Sequence, residues 1–202
     1  MPVQHPVHPW PCLLPLPLPG NGLIVMSIAT AGAIKRDFPR QQIRLALRQV
    51  LAEWLGLAPD DIGLTSEAGQ APRLALAGNG AAPTVGLSIS HETGLSLAAI
   101  NLHGAVGVDL MRVQEVPDWE SVARDYLGGA SADALAGASP ERRSQAFSRA
   151  WTAHEASLKC QGLPLAEWMP SLPFRALPCR CFDLALPDGL IGTLAVPAVR
   201  PA

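Results

Sequence analysis

Three short stretches carry residues able to do chemistry: Ser88-Ile89-Ser90-His91, Gly107-Val108-Asp109-Leu110 and Trp151-Thr152-Ala153-His154-Glu155-Ala156-Ser157-Leu158-Lys159. In the last, Trp151, Glu155 and Lys159 recur at four-residue steps and share one helix face. The same Glu-to-Lys spacing also builds ordinary solvated ion pairs. The leading Trp and the small or apolar Ala153, Ala156 and Leu158 instead suit a helix embedded on several sides. Asp109 closes an apolar run, where a carboxylate is either a turn or cap group or needs a compensating charge. With Glu155 it offers two hard oxygen ligands to a divalent cation such as Mg²⁺, whose remaining positions phosphate and water commonly fill. His91, behind two serines, is either a loop histidine bonded to backbone or an anion contact, with imidazole and hydroxyl facing a phosphate.

Elements must hold these residues in place. Residues 39–56 read as a helix, with Ile43, Leu47, Val50, Leu51, Trp54 and Leu55 on one face and Gly56 as its stop. Residues 84–90 and 95–102 alternate as two strands of a hairpin, with His91 at the bend, and residues 106–111 give a third strand. A proline-free helix is expected over 141–162, and a closing hairpin over 179–186 and 190–196, turned by Pro187-Asp188-Gly189. Residues 59–73 read as a polar loop and 117–140 as irregular. The alternating prolines of residues 1–22 deny helix and central strand, so an extended arm or loose tail is expected there.

The two halves share an order: a helix carrying a Trp, a linker, then a hairpin ending in a small apolar strand. This weak internal repeat predicts an α+β fold of two similar lobes, each a helix packed on a small antiparallel sheet. A pseudo-two-fold axis would relate them, with a ligand cleft between. The expected divisions are an arm over 1–22, an N-terminal lobe over 23–104 and a C-terminal lobe over 105–202.

Of 202 residues, 49% are hydrophobic and 16% charged, enough to bury a sizeable core. A formal net charge of −2 argues against a general nucleic-acid binder. No stretch has the length of a membrane span. The apolar run at 13–18 is broken by Pro15 and Pro17 with no basic region before it, so neither signal peptide nor anchor is expected. Cys12, Cys160, Cys179 and Cys181 form no CxxC pair, which suits reduced thiols and a cytoplasmic setting.

Order, spacing and context together make the chain resemble the 4'-phosphopantetheinyl transferases, in their larger single-chain pseudo-dimeric class. That family shows a Ser-His in a hairpin, a Gly-[Ile/Val]-Asp at a strand end, and Trp-x-x-Lys-Glu-[Ala/Ser]-x-x-Lys on a helix. Upstream, Gly69-Gln70-Ala71-Pro72-Arg73-Leu74 is similar to its Gly-[Lys/Arg]-Pro-x-Leu element. The resemblance covers roughly residues 36–197. It implies transfer of the phosphopantetheine arm of coenzyme A to a serine of an apo acyl or peptidyl carrier protein, with release of adenosine 3',5'-bisphosphate. It further implies Mg²⁺ on Asp109 and Glu155, Lys159 at the pyrophosphate, and His91 with Ser90 at the 3'-phosphate. Arg40 or Arg44, and Arg73, become candidate nucleotide-phosphate contacts. Glu155 would also accept the serine proton, and Arg142, Arg143 and Arg149 are candidates for carrier docking.

Two positions depart from the pattern. Met111 stands where many members have a second acid, and a thioether does not ligate Mg²⁺. His154 stands in place of the lysine before Glu155, exchanging a permanent charge for a titratable one. These departures keep a non-catalytic carrier-protein or coenzyme A binding module open as the alternative, beside a Mg²⁺-dependent hydrolase sharing the carboxylate pair. The internal repeat makes a monomer sufficient to build the cleft.

Overall fold

The computed structural model describes residues 4–11, 16, 18–30, 37–65, 71–76, 84–169 and 178–198. Cys12, most of the alternating prolines, and Gly69-Gln70 of the upstream motif lie outside the described residues. In chain order the elements are β1 (His8–Trp10), β2 (Leu23–Ala29), α1 (Asp37–Leu55), β3 (Ile62–Thr65), β4 (Arg73–Leu76), β5 (Gly86–Glu92), β6 (Leu95–Asn101) and β7 (Gly107–Arg112). Then follow α2 (Trp119–Val122), a π-helical turn over Ala123–Leu127, α3 (Gly129–Ala136), α4 (Pro140–Gln161), β8 (Cys179–Asp183) and β9 (Leu190–Pro197).

The class is α+β, with helices on small, mainly antiparallel sheets. One sheet has the order β1-β2-β6-β5 and another β7-β9-β8, while β3 and β4 form a separate hairpin. Alternation along the strands sorts the core into layers. Ile24, Met26 and Ile28 of β2, with Ala98 and Ile100 of β6, pack on Ile43, Leu47, Val50 and Leu51 of α1. Val25, Leu97 and Ala99 point the other way, against Val108, Leu110 and Leu194 of the second sheet. Beyond that sheet, Ala195 packs on Ala156 and Cys160 of α4. The order of layers is therefore helix, sheet, sheet, helix.

Both long helices end alike. Gly56 and Gly162 each adopt φ +66°. The next residue, Leu57 or Leu163, donates its N–H to the Ala52 or Leu158 carbonyl at 2.9 Å, and the glycine N–H reaches Glu53 or Lys159. This is the helix stop that a left-handed glycine permits.

Several expectations need correction. The N-terminal segment is no loose tail over its described part: β1 pairs in parallel with β2, His8 opposite Met26. Pro9 is tolerated because β1 is an edge strand. His5 donates its N–H to the Asp183 carbonyl and accepts from Ala185, so the arm also reaches the second sheet. The segment read as a polar loop over 59–73 holds β3 and runs into β4, which pairs with it antiparallel, Ile62 opposite Leu76. The irregular middle holds α2, the π turn and α3, which bury Ala123, Ala132 and Leu135 against Phe147. The hairpin bend is Thr93-Gly94, with Gly94 at φ +86°. His91 and Glu92 belong to β5, opposite Ser96 and Leu95.

Candidate active site

Where β5 meets β7 the two sheets are neighbours without a backbone ladder between them. Ser88, Ser90 and Glu92 share one face of β5 by two-residue alternation. The Val108 N–H donates to Ser88 Oγ at 3.0 Å, the Leu110 N–H to Ser90 Oγ at 3.2 Å, and the Arg112 N–H to Glu92 Oε2 at 3.0 Å. Side chains thus satisfy backbone donors that would be costly to leave unpaired.

Asp109 lies between these bonds. It is not a turn group: it sits within β7 opposite Thr193 and is 7% exposed. The Lys159 ammonium donates to its Oδ1 at 2.7 Å and to the Val108 carbonyl at 3.2 Å. Ser90 Oγ donates to the same Oδ1 at 3.0 Å. Gly107 lets α4 come this close, since a Cβ there would lie 1.9 Å from the Ala156 carbonyl oxygen. Opposite Asp109 on β9, Thr193 Oγ1 is 2.9 Å from Thr152 Oγ1 of α4, fixing the helix to the sheet.

Glu155 and Lys159 lie one turn apart on α4, yet the lysine's ion pair goes to Asp109. Partial burial, reinforced by the Asp109 carboxylate and opposed by Lys159, pushes the Glu155 carboxyl above its ordinary pKa. Two carboxylates and one ammonium therefore share the site. Trp151, which heads the row, stacks on Phe147 at 5.9 Å and meets Tyr126 edge-on. The embedded-helix expectation holds over the solvated one.

His91 is anchored through Nδ1, 2.8 Å from Ser96 Oγ, and Ser96 is fully buried. Partial burial and the charges of Arg40 and Lys159 hold the imidazole below its usual pKa. It is accordingly neutral at pH 7. Ser96 escapes sequence reading because its role arises from a cross-strand pair. The structure thus gathers Ser90, His91, Asp109, Glu155 and Lys159, with the charge of Arg40 acting on His91. Arg44 instead donates to the Leu64 carbonyl of β3 at 3.0 Å, and Arg73 is exposed on the same hairpin.

The departures have clear surroundings. Met111 packs with Trp119 and Trp151 against the Ala123–Phe147 cluster, away from any ligand role. Burial lowers the His154 pKa, so it is neutral at pH 7 and supplies no fixed charge. Among the arginines considered for docking, Arg149 is ion-paired to Asp183, and Arg143 lies over the Trp119 ring, 4.8 Å from its centroid. Arg142 is exposed. A groove of about 450 Å³ opens beside Arg143, lined by Glu115, Trp119, Glu141 and Phe147. It contains none of the clustered site groups.

The donor set fits a hard cation. Both bonds to Asp109 fall on Oδ1, so among the described residues Oδ2 accepts nothing. Burial first, and the Asp109 carboxylate second, raise the Glu155 pKa, and a cation bound between the two carboxylates would offset both effects. No group of three or more His, Cys, Asp or Glu able to hold a metal occurs among the described residues. Two carboxylate ligands agree with how Mg²⁺ is usually held beside phosphates.

Residues 105–186, which span β7, α4 and β8, match the 4'-phosphopantetheinyl transferase superfamily. Over that stretch the chain is similar to members of the superfamily. Its enzyme class is that of the phosphopantetheinyl transferases. It is 28% identical over 171 residues to the 4'-phosphopantetheinyl transferase HetI of Nostoc sp., covering 80% of this chain and 70% of that protein. A Synechocystis sp. relative, slr0495, named provisionally for the same activity, is 26% identical over 159 residues, covering 76% of this chain and 63% of the relative. Within the superfamily match lie Asp109, Glu155 and Lys159; Ser90 and His91 precede it. No described helix is long and apolar enough to cross a membrane.

Proposed function

We propose that the chain transfers the 4'-phosphopantetheine arm of coenzyme A to a serine of an apo acyl or peptidyl carrier protein, with Mg²⁺, releasing adenosine 3',5'-bisphosphate. The observation carrying this is the meeting of Asp109 and Glu155 at Lys159, beside His91, where β5, β7 and α4 converge. The reading takes the two helix-backed sheets as pseudo-two-fold lobes and the β5–β7 seam as the floor of their cleft, sufficient in a monomer. The arm over 1–22 and lobes over 23–104 and 105–202 belong to it, as does a cytoplasmic setting without nucleic-acid or membrane partners.

Phosphoryl-type transfer asks a protein mainly for positioning and charge neutralisation. Asp109 and Glu155 would hold Mg²⁺. When bound, the ion polarises the reacting phosphate and neutralises charge on the leaving bisphosphate. Lys159 keeps a positive charge beside the pyrophosphate, its geometry fixed by Asp109 and the Val108 carbonyl. His91, oriented by Ser96, presents its other ring nitrogen to the 3'-phosphate, with Arg40 adding charge. Arg44 and Arg73 serve the nucleotide end from the β3–β4 hairpin. The serine proton goes to Glu155, directly or through water. Arg142, exposed on α4, is offered to an acidic carrier.

The test is the mass of apo carrier proteins incubated with coenzyme A and the enzyme, with and without Mg²⁺. Addition of the arm only with Mg²⁺, lost in Asp109→Ala and Glu155→Ala, is expected. No mass gain with any carrier, despite coenzyme A binding, would favour the binding-module reading. Product release without a carrier would favour a hydrolase.

A further inference from the structure

We infer that Ser90 is a positioning residue for Asp109, turning its carboxylate so that Oδ2 faces the cation. This rests on the reading of Asp109 as a metal ligand and gives Ser90 a role other than contact with the 3'-phosphate. Ser90 is 6% exposed, and its hydroxyl is spent in both directions. It accepts the Leu110 N–H at 3.2 Å and donates to Asp109 Oδ1 at 3.0 Å. A serine hydroxyl has one proton to give, and Asp109 receives it. No proton is left for a phosphate while this arrangement stands.

The second bond on Oδ1 comes from Lys159 at 2.7 Å, so two donors approach one oxygen from different elements. A carboxylate oxygen offers two lone-pair directions, and here both are taken. The plane of the carboxylate is thereby fixed, and Oδ2 is the oxygen left to a metal. Groups bonded to a ligand in this way commonly change metal affinity 10- to 100-fold when removed.

The seam contains its own control. Ser88 makes the equivalent bond to β7, accepting the Val108 N–H at 3.0 Å, and is 1% exposed. Its hydroxyl has no bond to Asp109. Ser88→Ala and Ser90→Ala each remove a seam bond, but Ser90→Ala alone releases the carboxylate.

The decisive measurement is Mn²⁺ binding to the full chain in the presence of coenzyme A, read from the electron paramagnetic resonance signal of free Mn²⁺. Ser90→Ala should weaken Mn²⁺ about tenfold, Ser88→Ala less than twofold, and Ser90→Thr should restore binding. Ser90→Cys, similar in shape and a weaker donor, serves if Ser90→Ala does not fold; it too should weaken Mn²⁺ with the fold intact. Calorimetric binding of coenzyme A and of 3'-dephospho-coenzyme A supplies the second arm. A Ser90→Ala penalty confined to the ligand bearing the 3'-phosphate would make Ser90 a phosphate contact and overturn the inference. Equal loss of Mn²⁺ in both alanine variants, or no Mn²⁺ binding by the wild type, would overturn it as well. Failure of the wild type to modify any carrier protein would instead count against the proposed function, with the Mn²⁺ comparison still deciding Ser90.

Discussion

Lys159 reaches across from α4 to Asp109 on β7, 2.7 Å from Oδ1, rather than pairing with Glu155 one turn away on its own helix. The pair is mostly buried, with side-chain exposures of 28% and 10%. Removing one partner leaves a charge in a poorly solvated place. Lys159→Gln should cost about 1–3 kcal/mol in urea unfolding, the upper figures for fully buried pairs being reduced by partial exposure. The double variant with Asp109→Asn should recover part of that loss and remain inactive. Full additivity of the two losses would show that the groups do not interact.

Glu155→Gln should separate stability from function. A carboxyl whose folded pKa is raised binds protons better in the folded chain than in the unfolded one. Its contribution to stability therefore falls as pH rises through the window above the ordinary carboxylate pKa. At pH 7 the amide removes that penalty, so metal-free Glu155→Gln should unfold at higher urea, by up to about 1 kcal/mol after solvent screening. Arm transfer should be lost. Below pH 4 the stability gain should vanish.

His91 gives the opposite sign. Its folded pKa is depressed, so the unfolded chain takes up the proton first, and stability should decline as pH falls below about 6.5. A bound phosphate favours the imidazolium. Affinity for coenzyme A should strengthen about three- to tenfold between pH 8 and pH 6, with proton uptake seen by calorimetry in buffers of different ionisation heat. The trend should disappear in His91→Gln and with 3'-dephospho-coenzyme A.

Gly107→Ala tests the approach of α4 to β7. The added methyl would overlap the Ala156 carbonyl and lie 2.6 Å from the Cys160 nitrogen, both backbone atoms of α4. Neither can rotate aside, so the helix must move. A loss of about 3 kcal/mol or more is expected, with transfer reduced further than stability alone explains because Lys159 and Glu155 move with the helix. Unchanged activity would mean that the Lys159–Asp109 contact is dispensable.

The legible parts were those with strong local signals. Helices α1 and α4 carry apolar rows and glycine stops, and the alternation around Asp109 places it on β7, whereas His91, read at the hairpin bend, belongs to β5. Strand β2 was missed because Leu23-Ile24-Val25-Met26-Ser27-Ile28-Ala29 is buried on both faces and shows no alternation. The β3–β4 strands are only four residues each, and α3 is built from Gly, Ala, Ser and Asp with a single Leu. The partnerships of Ser90 with Asp109 and of Ser96 with His91 have no sequence signature. Each depends on strand register, which only tertiary packing sets.

The β5–β7 seam joins two sheets through Ser88, Ser90 and Glu92 instead of main-chain carbonyls. A peptide carbonyl cannot be mutated away, whereas each of these acceptors is one codon change from removal. How tightly the halves hold each other is thus open to adjustment one fastening at a time, without redesigning either sheet.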